Sequence, residues 1–272
     1  MLNGSIEAQK IFKRIKNQKN KIGLAAVLVG NDPASKVYIN IKNKTAKKLN
    51  INFKKYLLSS NTSEKKILNL INKLNNDKNI HGILVQLPLP KKFKNSTNKI
   101  IKNININKDI DGFNNPKIIP PTIQAIIHLV KISKIKLANK KAVILANSHE
   151  FAEPQKKELI RKKIKTNILL KKDLRDKFYD LRKFDIVVIA FGKRWWFKPD
   201  MIKKNSIIID VGINRIKNCK KIFGDVHPDC FKKSKYISPV PGGVGPLTVA
   251  FLFKNLLRLY KLFFRTAGAG DN

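Results

Sequence analysis

Acid is what this chain has least of. It carries 18 Asp and Glu against 57 Lys and Arg, a formal charge of +39 over 272 residues. Cysteine is nearly absent too. Cys219 and Cys230 have neither CxxC spacing nor a histidine cluster beside them. That excludes a disulfide framework and a zinc site and leaves two ordinary cytosolic thiols. No apolar run reaches the roughly 18 residues of a membrane span, so none is expected. No apolar signal region opens the sequence, and the expected location is the cytoplasm. Zinc-finger spacing, a glycine–aromatic RNA-binding signature and internal repeats are missing as well. Trp195 and Trp196 are the only tryptophans. Without further spaced aromatics they read as loop packing, not as a stacking platform for bases.

What is there in excess is lysine. A basic surface attracts polyanions, which makes nucleic acid one candidate partner. The lysines run along the whole chain, however, and Lys, Asn and Ile are abundant together, as an AT-rich coding sequence gives. Solvated lysine faces are therefore the better reading, and no nucleic-acid partner is expected.

The chain is long enough to bury a sizeable core in two lobes. Residues 22–29 form a continuous apolar run ended by Gly30-Asn31-Asp32-Pro33, the pattern of a buried parallel strand and a turn. A helix over 35–49, a strand over 51–57, a helix over 63–74 and a strand over 81–87 follow. Strands alternating with helices predict a parallel α/β sheet, with ligands beyond the C-terminal strand ends. Three clusters fall at those ends. Tyr38 and Lys42 lie four apart and share a helix face. Gln86 closes the third strand and needs a polar partner if buried. Asp109-Ile110-Asp111-Gly112 forms the third cluster. Taken singly, each has a plain structural explanation: a solvated lysine, a strand-end glutamine, an Asp-Gly turn.

Residues 238–247, Ser-Pro-Val-Pro-Gly-Gly-Val-Gly-Pro-Leu, hold three prolines and three glycines just before an apolar helix. This is a shaped turn at a helix start, suited to a ligand or simply to rigidity. Its wording resembles the C-terminal signature of the methylenetetrahydrofolate dehydrogenase/cyclohydrolase family. The Tyr38/Lys42, Gln86-Leu-Pro-Leu-Pro and Asp109-Ile-Asp111-Gly segments resemble the same family in order and spacing. The resemblance implies a bifunctional enzyme of one-carbon folate metabolism. Lys42, Gln86 and Tyr38 would be catalytic, and Tyr38, Asp111, Pro241, Gly242 and Gly243 would bind folate. It also implies a folate-binding domain over 1–117 with a returning helix over 247–264, a Rossmann-like NAD(P)-binding domain over 118–246, a cleft between them, and a homodimer. The chemistry suits the residue types. A desolvated lysine moves protons near neutral pH, an aspartate accepts from paired pterin N–H groups, and a tyrosine offers a flat face.

In the second lobe, Thr122 is an expected N-cap for a helix over 123–132. Strands are expected over 141–146, 168–170, 185–190 and 206–211, with a helix over 154–164. Ala146, Asn147, Ser148 and Ile213 are the expected cofactor contacts, NADP the implied cofactor, and NAD the alternative. The family's turn here reads Gly-Arg-Ser-x-x-Val-Gly-x-Pro, whereas this chain has Ala146, Asn147, Ser148, Ala152 and Pro154, with Glu150 and Glu153 added. Lys171 and Lys172 stand where the family has a Cys-His-Ser stretch, as a source of replacement charge. Lost glycines and arginine predict a weakened dinucleotide site, weak dehydrogenase activity, reduced preference for NADP, and cyclohydrolase activity that outlasts it. The alternatives are a cyclohydrolase alone and a non-catalytic basic nucleic-acid binder.

Overall fold

The computed structural model describes residues 1–16, 22–174, 180–216 and 221–264, so Cys219 lies outside the described residues. Its helices are α1 (Gly4–Lys16), α2 (Pro33–Lys48), α3 (Glu64–Asn76), α4 (Thr97–Lys102), α5 (Pro121–Ile132), α6 (His149–Arg161), α7 (Cys230–Lys233) and α8 (Val244–Phe263). Its strands are β1 (Gly23–Val29), β2 (Asn52–Leu58), β3 (Gly82–Val85), β4 (Lys141–Ala146), β5 (Lys165–Leu170), β6 (Ile186–Ala190), β7 (Ile207–Asp210), β8 (Asn214–Arg215), β9 (Ile222–Phe223) and β10 (Tyr236–Ile237).

Two compact units divide the chain. The first holds Gln9–Pro121 and Val249–Asn272, the second Met1–Ala8 and Thr122–Thr248. The sequence places the junctions at 117/118 and 246/247; the units part at 121/122 and 248/249. The first residues join the second unit through backbone bonds, from Leu2 N–H to Ile237 O and from Ser5 N–H to Gly242 O, both 2.9 Å.

In the first unit β1 is buried along its whole length. It lies at the centre of a parallel sheet in the order β2-β1-β3. Alternate residues of β1 serve opposite faces. Ala25, Val27 and Val29 pack with Ile67, Ile71 and Leu74 of α3. Leu24, Ala26 and Leu28 pack with Ile39 of α2 and with Phe253, Leu256 and Leu259 of α8. The expected return of the last helix onto the first sheet is thus seen in these contacts. Asp32 starts α2 by accepting from Ser35 N–H at 2.7 Å, and Pro33 follows at the first helical position. Ser63 caps α3 in the same way, accepting from Lys66 N–H at 3.3 Å.

The second unit has a parallel sheet in the order β10-β7-β6-β4-β5, with β8 and β9 as a separate antiparallel pair. Counting these five strands along the chain, the spatial order is 2-1-3-4-5, one of the doubly wound, Rossmann-like patterns. The order reverses between β4 and β6, which is where such sheets receive ligands. Three helix starts in this part of the chain differ from expectation. Helix α8 begins at Val244 and not at 247, so residues 244–247 form its first turn and are not part of the proline-glycine loop. Helix α5 begins at Pro121, so Thr122 lies inside it and is not its cap; proline at a first helical position already has the required φ. Helix α6 begins at His149 and not at Pro154, because Ser148 caps it and accepts from Phe151 N–H at 3.4 Å. Pro154 sits within it and forgoes only one intrahelical bond. Among the described residues no helix is long and apolar enough to cross a membrane.

Candidate active site

Lys42 sits on the inner stripe of α2 with Ser35, Ile39 and Ala46, and it is buried. A buried ammonium needs a partner. Gln86 supplies one: its Oε1 accepts from Lys42 Nζ at 2.9 Å. Gln86 is itself held at both ends. Its backbone N–H donates to Val27 O at 2.9 Å, continuing the ladder past β3. Its Nε2 donates to Leu87 O at 2.7 Å. The oxygen aimed at Lys42 is thereby fixed. Tyr38 is half-buried, one helical turn before Lys42. Burial lowers the Lys42 pKa from its ordinary value, and the charge of Asp111 partly restores it.

The two aspartates of the third cluster do different work. Asp109 is fully buried, and its carboxylate accepts from the backbone N–H groups of Gly112 at 3.0 Å, Asn114 at 2.6 Å and Asn115 at 3.1 Å. It folds the turn. Gly112 is required there, since φ is +71° and an added Cβ would meet Ile118 O at 2.3 Å. Asn255 of α8 ties the same turn down by donating to Ile110 O at 3.0 Å and Ile119 O at 3.2 Å. Asp111 is left facing Lys42. It retains some surface exposure, yet desolvation pushes its carboxyl up to about 6, against the pull of Lys42 and with the help of Asp109. Tyr38, Lys42, Gln86 and Asp111 all belong to the first unit. The structure places Lys42 against Gln86 and within electrostatic reach of Asp111.

In the second unit, residues 239–241 border a cavity of about 580 Å³ lined by Trp195, Asp210, Phe223, Phe231, Pro239 and Pro241, among others. Gly242 adopts φ +110°, and Gly243 packs so closely that an added Cβ would meet Pro239 O at 2.6 Å. Two buried carboxylates shape this edge of the sheet. Asp225 accepts from the N–H groups of Phe191, Gly192 and Lys193 and from Asn214 Nδ2, at 2.6–3.0 Å. Asp210 accepts from Gly212, Asp225 and Val226 N–H. Desolvation, aided by Asp225, pushes the Asp210 carboxyl up to about 7. Ile213, an expected cofactor contact, is exposed beside this network. Trp196 packs edge-on against Phe191 at 4.7 Å, and Arg194 lies 3.5 Å over Trp195. The loop packing expected of the tryptophans is what the structure contains.

The turn after β4 holds the other expected contacts. Ala146 is fully buried at the strand end. Asn147 Nδ2 donates to Phe191 O at 3.1 Å. Ser148 is the α6 cap. Glu150 is exposed; its own backbone N–H, then the Ser148 hydroxyl, hold its carboxyl below the ordinary range. Ala152 lies inside α6 and is fully buried. Lys171 Nζ approaches Phe191 O at 3.4 Å. First-turn N–H groups, a hydroxyl, an amide and an ammonium make a donor set suited to dinucleotide phosphates, with Glu150 as the opposing charge.

The profile of the tetrahydrofolate dehydrogenase/cyclohydrolase catalytic domain matches residues 2–111, and that of the corresponding NAD(P)-binding domain matches residues 120–264. A bifunctional protein FolD of Caldicellulosiruptor saccharolyticus is 39% identical over 273 residues, covering 92% of this chain and 96% of its own. The crystal structure of the bifunctional FolD dehydrogenase/cyclohydrolase of Campylobacter jejuni superposes with a TM-score of 0.86 at 34% identity, over 96% of this chain and 98% of that one. A Trypanosoma brucei FolD complexed with NADP and an inhibitor gives a TM-score of 0.86 at 27% identity, over 98% of each chain.

Proposed function

The chain belongs to the tetrahydrofolate dehydrogenase/cyclohydrolase family, and we propose that Lys42 moves the protons of its hydrolytic step. The protein is a bifunctional enzyme of one-carbon folate metabolism. It oxidises 5,10-methylenetetrahydrofolate to the 5,10-methenyl form and hydrolyses that to 10-formyltetrahydrofolate, with NADP as cofactor. The readings as a cyclohydrolase alone or a basic nucleic-acid binder are not favoured.

The observation that carries the Lys42 assignment is its buried amine, 2.9 Å from a glutamine oxygen that is itself fixed. Desolvation lowers its pKa from the ordinary lysine value, which favours the neutral amine that proton transfer needs. In hydrolysis, that amine takes a proton as water adds to the methenyl carbon. As the bond from this carbon to N5 breaks, the electron pair goes to N5, and Lys42 returns its proton there. The hydroxyl proton leaves to solvent and the carbonyl of the formyl group remains. Gln86 holds the amine in line for both transfers. Asp111, as the carboxylate, accepts from the pterin N–H groups, and Tyr38 stacks on the ring system. Pro241, Gly242 and Gly243 contribute further folate contacts.

For the oxidation, bound NADP supplies the hydride acceptor. Ala146, Asn147, Ser148 and Ile213 are the residues assigned to hold it. We place the enzyme in the cytoplasm as a homodimer, in line with its family resemblance; light scattering checks the assembly. Lys42→Met tests the central assignment. Cyclohydrolase turnover is expected to fall by about 10²-fold or more with thermal stability kept. Near wild-type turnover would remove Lys42 from the mechanism.

A further inference from the structure

Strand register places three chain segments side by side at the C-terminal edge of the second sheet. Ala146 pairs with Leu170 on one side and with Ala190 on the other. The next residues are therefore Lys171, Asn147 and Phe191, in that order across β5, β4 and β6. Lys171 N–H donates to Ala146 O at 3.0 Å, which pins its backbone beside the turn. Its side chain reaches across the end of β4, and Nζ stands 3.4 Å from Phe191 O. Asn147 Nδ2 reaches the same carbonyl at 3.1 Å. The Lys171 ammonium thus lies over the point where the strand order reverses.

Phe191 O, with the Phe191 ring 6.0 Å away, is a thin set of partners for an ammonium, which has three donors. The contact is long for a hydrogen bond. Nearby carboxylates are engaged elsewhere. Asp173 accepts from Leu170 N–H at 3.1 Å, and Glu150 takes its own N–H and the Ser148 hydroxyl. In doubly wound sheets, the group that reads the cofactor's adenosine ribose lies about 20 residues after the first turn, just past the second strand. An acid there takes a 2′-hydroxyl, and a cation takes a 2′-phosphate. Lys171 occupies that place.

We infer that Lys171 is the specificity-determining residue of the dinucleotide site, pairing with the 2′-phosphate of NADP. This rests on the NADP reading above and deepens it. The cation missing at Asn147 in the turn is supplied from the neighbouring strand end. Preference for NADP is then retained, contrary to the sequence-based expectation of a reduced preference; of the two lysines read there as replacement charge, Lys171 is the one assigned.

The test is equilibrium binding by calorimetry, with adenosine 2′,5′-bisphosphate and adenosine 5′-monophosphate as probes on the full chain. The wild type is expected to favour the bisphosphate. Lys171→Gln should weaken the bisphosphate by about 10- to 100-fold while changing the monophosphate by less than about threefold. Lys171→Arg should restore the preference, and Lys172→Gln should leave it in place. Matched thermal unfolding of the variants checks that they are folded. Equal losses on both probes, or a preference that survives Lys171→Gln, would overturn the assignment of Lys171 while leaving the NADP reading intact. A wild type that binds NADP and neither distinguishes the probes nor favours NADP over NAD would also overturn it. A wild type that binds no dinucleotide at all would sink both readings.

Discussion

Asp109 and Asp111 are two residues apart and identical in type, yet one builds the turn and the other faces Lys42. Residue type and spacing alone do not divide these roles, because either carboxylate of a Lys-Asp-Ile-Asp-Gly segment can cap a turn; only the family resemblance singled out Asp111. The fold divides them: only Asp109 meets the N–H groups of Gly112, Asn114 and Asn115. The two alanine variants should therefore fail differently. Asp109→Ala leaves three donors unpaired, one buried at Asn115 and two part-buried at Gly112 and Asn114, and should cost about 3 kcal/mol of stability, read by chemical denaturation. Asp111→Ala should leave stability nearly unchanged and weaken folate binding. Asp111 also carries a pH signature. Its carboxyl is raised from 3.8 to about 6. Above about 6 it is ionised and accepts from the pterin; below, it is protonated and does not. Tetrahydrofolate affinity, measured by calorimetry from pH 5 to 8, should rise through about pH 6, and Asp111→Asn should remove that rise. The linkage runs the other way for the ligand-free protein. Between 3.8 and about 6 the folded state holds the extra proton, so stability falls as pH rises through that window.

At the scale of elements, what could be read from sequence was what local pattern determines. The unbroken apolar run of β1 announced a buried parallel strand, and Ser63 announced the start of α3, whereas Asp32-Pro33, read only as a turn, caps and opens α2 two residues before the expected start at 35. The start of α6 was misplaced because Pro154 resembles a first helical position, while the operative signal was Ser148. The short pairs β8–β9 and β10 escaped notice, since two-residue strands carry no periodicity. The reach of Lys171 to Phe191 could not be read at all. It depends on β5, β4 and β6 being neighbours in that order, which is a tertiary fact. The turn before α6 supplies a prediction at this scale. Glu150 places a carboxylate among N–H groups that suit a phosphate. Glu150→Gln should tighten both NADP and NAD by about three- to tenfold, and should change the stability of α6 little, since the side chain is exposed. An effect on one dinucleotide and not the other would place Glu150 near the ribose instead.

At the scale of the whole molecule, the charge of +39 remains the dominant property. Folates are anionic, and more so with polyglutamate tails. Association of a polyglutamylated folate should therefore be steered by the protein's field. Stopped-flow on-rates should fall steeply as salt is raised from low concentration to about 0.5 M, where screening acts within a few ångströms; a flat profile would show that steering is absent. A different consequence follows from the division of the chain. The first unit is built from Gln9–Pro121 and from Val249 onward, with the whole second sheet made in between. Phe253, Leu256 and Leu259 complete the core around Leu24, Ala26 and Leu28. During synthesis, the strands emerge early while the helix that closes one of their faces emerges last. The lobe that carries Lys42 therefore waits, half-covered, for the entire nucleotide lobe to be translated. A ribosome that stops short of α8 releases a chain whose catalytic residues are all present and whose catalytic lobe has no closed core.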